Sequence, residues 1–190
     1  GSPDLVIDDA AQITNLSDAP WEPIDPEVHW VEIDLTSVVS GGSRRGISTS
    51  GTVVAVRPDS GIIERCPECR RVLRDGACGE HGPQRGEEDL RLRFVIDNGV
   101  SNASLLLSKD ASEAFLGTDQ ESIKKEISAS SSADFVASLR ERLIAKRLIV
   151  KGRSIVDEQG AMLLADDVEY DATSAHDAAN VVIQRWGVIL

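Results

Sequence analysis

The sequence predicts a mainly β fold. Several runs are rich in β-branched residues or alternate apolar with polar positions, and turn residues bound them. Helical periodicity is confined to one stretch between the third and fourth of these runs and to the C-terminal end. With 190 residues, 41 % hydrophobic but only 4 % aromatic, there is material for one good-sized domain with an aliphatic core.

Taken in order, residues 1–28 read as an acidic arm or linker, since Pro3, Pro20, Pro23 and Pro26 interrupt any regular element. Val28 to Leu35 alternates weakly, with Trp30 opposite Val31, Ile33 and Leu35, and Ser40-Gly41-Gly42-Ser43 reads as a hinge. Ile47 to Arg57 is a strand that stops at Pro58 and Gly61. Residues 66–81 hold all three cysteines and one histidine. Leu90, Leu92, Phe94 and Ile96 then alternate with Arg91, Arg93 and Val95, which puts Phe94 on the buried face. Asp97-Asn98-Gly99 is a hairpin signal, and Val100 to Leu107 is the returning strand.

Asp110 with Glu113 has capping-box spacing, with Gly117 suited to the helix end, and Ser131 with Asp134 repeats the start signal. Phe135, Val136, Leu139, Leu143 and Ile144 fall on one helical face. Leu148–Val156 and Ala161–Tyr170 are strands joined around Asp157-Glu158-Gln159-Gly160. Ser174 with Asp177 opens a last helix carrying Ala178, Val181, Val182 and Trp186 on one side. Five main strands, with helices between strands 3 and 4 and a short C-terminal helix, have the connectivity of an OB-fold, a five-stranded Greek-key barrel. Other small barrels share that connectivity. The expected division is an arm at 1–28, a barrel at 29–171 with an insert at 62–86, and a helix with tail at 172–190.

The insert carries Cys66-Pro67-Glu68-Cys69 and Cys78-Gly79-Glu80-His81, a C-x2-C-x8-C-x2-H pattern. Two donors three residues apart on a tight turn converge on one ion, and two such turns complete a tetrahedron. Cys66, Cys69, Cys78 and His81 are therefore expected to hold one structural Zn2+ per chain. Four protein donors leave no position for a catalytic water. His29 and His176 have no partner motif and read as structural or surface groups.

Charge is uneven. The net charge is −12, yet residues 44–93 hold ten basic and eight acidic residues, whereas residues 1–43 hold nine acids and no Lys or Arg. The middle segment is where an anionic partner is to be sought. Fifteen Arg against five Lys, in an acidic chain, suit solubility in concentrated salt. No P-loop, dinucleotide fingerprint or G-x-S-x-G motif is present, and no Cys–His pair lies outside the metal set, so no enzymatic activity is expected. No apolar run approaches a membrane span, and the first residues lack the basic start and apolar centre of a secretory signal, so no membrane partner is expected.

The insert and its flanks resemble the zinc-ribbon OB domain of replication protein A, most closely its archaeal, haloarchaeal-like forms. The resemblance runs from Ser43-Arg44-Arg45-Gly46 through Gly51 to Pro58. It continues through Gly61-Ile62-Ile63-Glu64-Arg65, the cysteine block to Gly82, Leu92 to Gly99, and Ala111 to Gly117. It implies a ribbon inserted between the first two barrel strands. It also implies a non-catalytic single-stranded DNA-binding role in replication, repair and recombination, in the cytoplasm on the chromosome. Such proteins stack bases on aromatic rings while cations follow the phosphates. The nucleic-acid-binding candidates are Arg57, Arg70, Arg71, Arg74, Arg91, Arg93, Lys151 and Arg153. Leu105-Leu106-Leu107-Ser108 and the hairpin from Lys151 to Leu163 carry no aromatic residue. A second reading is therefore an assembly module that joins other replication protein A subunits through the C-terminal helix.

Overall fold

The computed structural model describes residues 30–187 together with Thr14. The arm at 1–28 (Thr14 apart), His29 and the terminal Val188-Ile189-Leu190 lie outside the described residues.

The expected Val28–Leu35 strand is mostly replaced by other structure. A short strand β1 (Val31–Glu32) pairs in parallel with the segment around Ile47. Asp34 then accepts the amide of Thr36 and caps α1 (Leu35–Ser40), burying Leu35 and Val38. A side-chain acceptor for an orphan helical amide outweighs a weak alternation of apolar residues.

Five strands close the barrel. β2 (Arg44–Val56) pairs along its first part with β8 (Arg147–Asp157), and from Thr52 onward with β6 (Glu87–Asp97). β6 pairs with β7 (Asn102–Leu107), β7 runs parallel to β9 (Gly160–Tyr170), and β9 returns antiparallel to β8. The ring is thus complete, and the mainly β OB architecture expected from element order is the one formed. Inward positions alternate along each strand. Leu90, Leu92, Phe94 and Ile96 from β6, Leu105 and Leu107 from β7, and Leu148 and Val150 from β8 are all at most 1 % exposed. Each such large side chain contributes about 1.5–3 kcal/mol by leaving water.

Three helices fill the connection between β7 and β8: α2 (Lys109–Leu116), α3 (Gln120–Ala129) and α4 (Ser132–Leu143). The Asp110–Glu113 capping box does not form. α2 starts after Ser108, and Glu113 instead accepts the amide of Gln120 at the start of α3. Gly117 ends α2 in the left-handed conformation. α3 is a further element: its N-cap Asp119 accepts the amide of Ser122, but its apolar stripe is thin, so sequence periodicity passes over it. The Ser131–Asp134 start holds, and Phe135, Val136, Leu139 and Leu143 are buried. Ile144 lies past the helix end and is 41 % exposed, because the chain leaves the helical face there. Ser174 accepts the amide of Asp177 and caps α5 (Ala175–Trp186); Val181 on that helix is 61 % exposed. No helix among the described residues is long and apolar enough to cross a membrane.

Candidate functional site

The insert grows out of β6. After β2, residues Arg57 to Ser60 turn, and β3 (Gly61–Arg65) takes up pairing with the first half of β6, from Arg91 to Glu87. β2 and β3 therefore occupy one edge of β6 in succession. Ser60 bridges the break: its hydroxyl accepts the Arg93 amide and donates to the Arg93 carbonyl. β3 delivers the chain directly to Cys66.

Two tight turns then bring the metal-type donors together. In the first, the Arg70 amide donates to the Cys66 carbonyl and the Cys66 amide donates to the Arg71 carbonyl, wrapping the backbone around Cys66 and Cys69. In the second, β4 (Ala77–Cys78) pairs with β5 (Gly82–Pro83), so Cys78 and His81 flank one reversal. One ligand atom from each of Cys66, Cys69, Cys78 and His81 lies within 4.8 Å of all the others. Cys66 Sγ is 3.4 Å and Cys78 Sγ 3.7 Å from His81 Nδ1, and the Cys69 and Cys78 sulfurs are 3.5 Å apart. Zinc bonds of about 2.0–2.3 Å in a tetrahedron require donor–donor edges of roughly 3.3–3.8 Å. The donor set fits that ion in size and in chemistry.

The surroundings suit charged donors. Backbone amides of Glu80 and His81 draw the Cys78 thiol down to about 6. At Cys69 the Arg71 amide favours the thiolate, but burial and the neighbouring sulfurs outweigh it and push the thiol up. Cys78 and Cys66 hold His81 above its ordinary value. His81 presents Nδ1 to the sulfurs, and its Nε2 lies 3.6 Å from Glu68, a carboxylate placed to orient the ring. Leu73 packs with Cys66 and Cys78 in a small apolar cluster of its own, separate from the barrel core.

The eight candidate cations divide into two groups. Arg91 and Arg93 do share the outer face of β6, but both grip one carboxylate: Asp59 Oδ2 is 2.7 Å from each guanidinium. Burial raises the Asp59 carboxyl, and Arg93 and Arg91 more than offset this and hold it below the ordinary value. Arg70 pairs with Glu87 and Arg71 with Glu80 on the insert. Lys151 sits between Asp167 at 3.2 Å and Glu169 at 3.1 Å, which raise its pKa. Among the described residues, Arg57, Arg74 and Arg153 form no ion pair. Arg74, Arg91 and Arg93 line a hollow of about 430 Å³ at the root of the insert, together with Asp59, Glu64 and the apolar Ile62, Ile63 and Val72.

Sequence reasoning missed Asp59, the shared partner of the β6 arginines, because its contacts span more than thirty residues. It also left out Arg44 and Arg45, which β2 brings beside Arg153 on β8. The available signal was Gly46, an isolated glycine in a strand, which marks a bulge.

No family model and no curated protein matches the chain. Solved structures do. A replication protein A heterotrimer bound to ssDNA matches with a TM-score of 0.53 at 11 % identity, over 83 % of this chain. This chain spans only 40 % of that one. Yeast RPA bound to ssDNA matches with a TM-score of 0.50 at 12 % identity, over 84 % of this chain and 98 % of that chain. At these identities the likeness is one of architecture: the chain has the OB-fold.

Proposed function

We propose that this protein binds single-stranded DNA without catalysis, as a replication protein A-type OB domain stabilised by one structural Zn2+ held by Cys66, Cys69, Cys78 and His81. The observation that carries the proposal is the placement of the donor tetrad: the insert that holds it leaves the barrel between its first two strands, and a hollow lined by Arg74, Arg91 and Arg93 lies at the root of that insert. An inert tetrahedral centre there fixes a loop beside the barrel face, which is a scaffolding task. The division into an arm at 1–28, a barrel at 29–171 with a ribbon at 62–86, and a C-terminal helix at 172–190 belongs to the same proposal. So do an origin in a salt-rich archaeal cytoplasm, which the acidic, arginine-rich composition supports, and a chromosome-associated location.

Fluorescence anisotropy of a labelled 30-mer single strand, against the matching duplex and RNA, tests the proposal with metal-loaded protein at low and molar salt. Single-strand binding well above duplex binding supports it. No binding to any of the three overturns it. RNA bound more tightly than DNA reassigns the ligand.

A specific observation favours a second reading, an assembly module that joins other replication protein A subunits. Five of the eight candidate cations are engaged by carboxylates of the same chain. Light scattering after size-exclusion chromatography separates the readings: an oligomer abolished by deleting residues 174–190 supports assembly.

A further inference from the structure

The ladder between β2 and β8 is regular from Ile47 to Thr52 but breaks at the start of β2. Arg44 pairs with Ser154 and Ile47 with Gly152, so Arg45 and Gly46 together stand opposite the single residue Arg153. This is a β-bulge. Gly46 adopts φ +65°, a conformation that costs a residue with a side chain and costs glycine little. In a regular strand Arg44 and Arg45 would point to opposite faces. At the bulge both are exposed, and both line one hollow of about 380 Å³ with Arg153, Ser43, Ser154 and Ile155.

The backbone beneath is pinned. The Arg44 amide donates to Ser154 Oγ at 3.0 Å, and the Val156 amide donates to Ser43 Oγ at 3.0 Å. Ser154 is 3 % exposed, so its hydroxyl spends its hydrogen-bonding capacity on holding the bulge and not on solvent. Ile155, 41 % exposed, adds an apolar side chain to the lining of the hollow, and the Arg44 guanidinium lies against Gly41 at the end of α1.

These three arginines differ from the β6 pair in one decisive respect. Arg91 and Arg93 are already engaged by Asp59, whereas among the described residues no carboxylate lies within ion-pair distance of Arg44, Arg45 or Arg153. In a chain of net charge −12, three adjacent cations without a carboxylate partner among the described residues form a site for an external anion. Arginine forks suit phosphate oxygens in particular.

We infer that Arg44, Arg45 and Arg153 form a phosphate cradle that grips consecutive backbone phosphates of a bound single strand, with Ile155 against a sugar or base. The inference rests on the single-strand-binding reading and adds to it the place where the phosphates lie: the bulged start of β2 beside β8.

The test compares salt-dependent binding of a labelled single-stranded 30-mer by the full chain and by three triple variants. The first replaces Arg44, Arg45 and Arg153 by Gln. The second replaces them by Lys. The third removes three exposed cations elsewhere, Lys109→Gln, Lys125→Gln and Arg142→Gln, as a charge-matched control. Each phosphate contact to a single strand contributes about 0.7 to the log–log salt slope, so loss of three lowers it by roughly 2 and weakens binding about a hundredfold near 0.1 M salt. The Lys variant retains most of the slope. An unchanged slope in the Gln variant, with wild-type binding intact, overturns the cradle and leaves the single-strand reading standing. An equal loss in the control variant also overturns it, because net charge then accounts for the effect. Absence of wild-type binding overturns both.

Discussion

Asp59→Asn should strengthen single-strand binding while weakening the fold. In the native structure one carboxylate oxygen lies 2.7 Å from both Arg91 and Arg93, in the position a phosphate oxygen would take between two guanidinium groups. The Asp59 side chain is 45 % exposed and that of Arg93 29 %, so this pair stabilises the fold by about 0–1 kcal/mol, whereas the Arg91 side chain is only 11 % exposed and its charge is more costly to leave without a partner. Asparagine keeps an acceptor but removes the charge, and a total loss of about 1–3 kcal/mol is expected. The gain lies in binding. Two freed arginines that each meet one phosphate steepen the salt slope by about 1.4, which is roughly 25-fold tighter binding near 0.1 M salt.

Acidification is no substitute for the mutation. The Asp59 pKa is lowered on folding, so its contribution is fully present above the ordinary value of 3.8 and is lost only as pH falls through the lower folded value. That range is where other paired carboxylates are also neutralised. The assays are anisotropy titrations across salt and a urea melt of each protein. Unchanged affinity and slope in the variant would refute the idea that Asp59 masks the β6 arginines. Weaker binding would mean that Asp59 orients them for the strand instead.

Other outcomes follow from single contacts. Metal analysis is expected to give one zinc per chain. Stripping it should abolish hydrogen-exchange protection in residues 66–86 while β3 and the barrel keep theirs and the circular dichroism persists, because Leu73 and the cysteines pack apart from the main core; collapse of the whole spectrum contradicts that independence. Gly152→Ala should destabilise by about 3 kcal/mol in urea melts, since its Cβ would stand 2.2 Å from the Leu164 carbonyl oxygen across the β8–β9 ladder, and backbone must move; a change below about 0.5 kcal/mol refutes the clash. Asp171→Asn should cost about 1–3 kcal/mol at neutral pH. Hydrogen bonding from Thr173 and the Arg147 guanidinium lower the Asp171 pKa, so the wild-type advantage should shrink as pH falls below about 4; an advantage that grows on acidification has the wrong sign.

How much was legible depended on how far apart the interacting residues lie. The β-branched run at 47–57 and the alternation at 90–96 identified strands because both are properties of neighbours, and β6 does bury Leu90, Leu92, Phe94 and Ile96 while Arg91 and Arg93 face out. Two of the three expected N-caps, Ser131 and Ser174, formed for the same local reason. The third failed when a distant amide, that of Gln120, claimed Glu113. α3 escaped notice because Ile123 and Ile127 alone mark its buried side.

The sequence by itself determined the strand order, the aliphatic core and the convergence of Cys66, Cys69, Cys78 and His81, since each is encoded in spacings of a few residues. Only the tertiary structure decided which cations remain available. The partners of Arg93 and Lys151 lie 34 and 16 residues away, and the bulge that sets Arg44 and Arg45 beside Arg153 spans 110 residues of chain. Barrel closure sets those distances, and a charge is free or spent according to what closure places beside it.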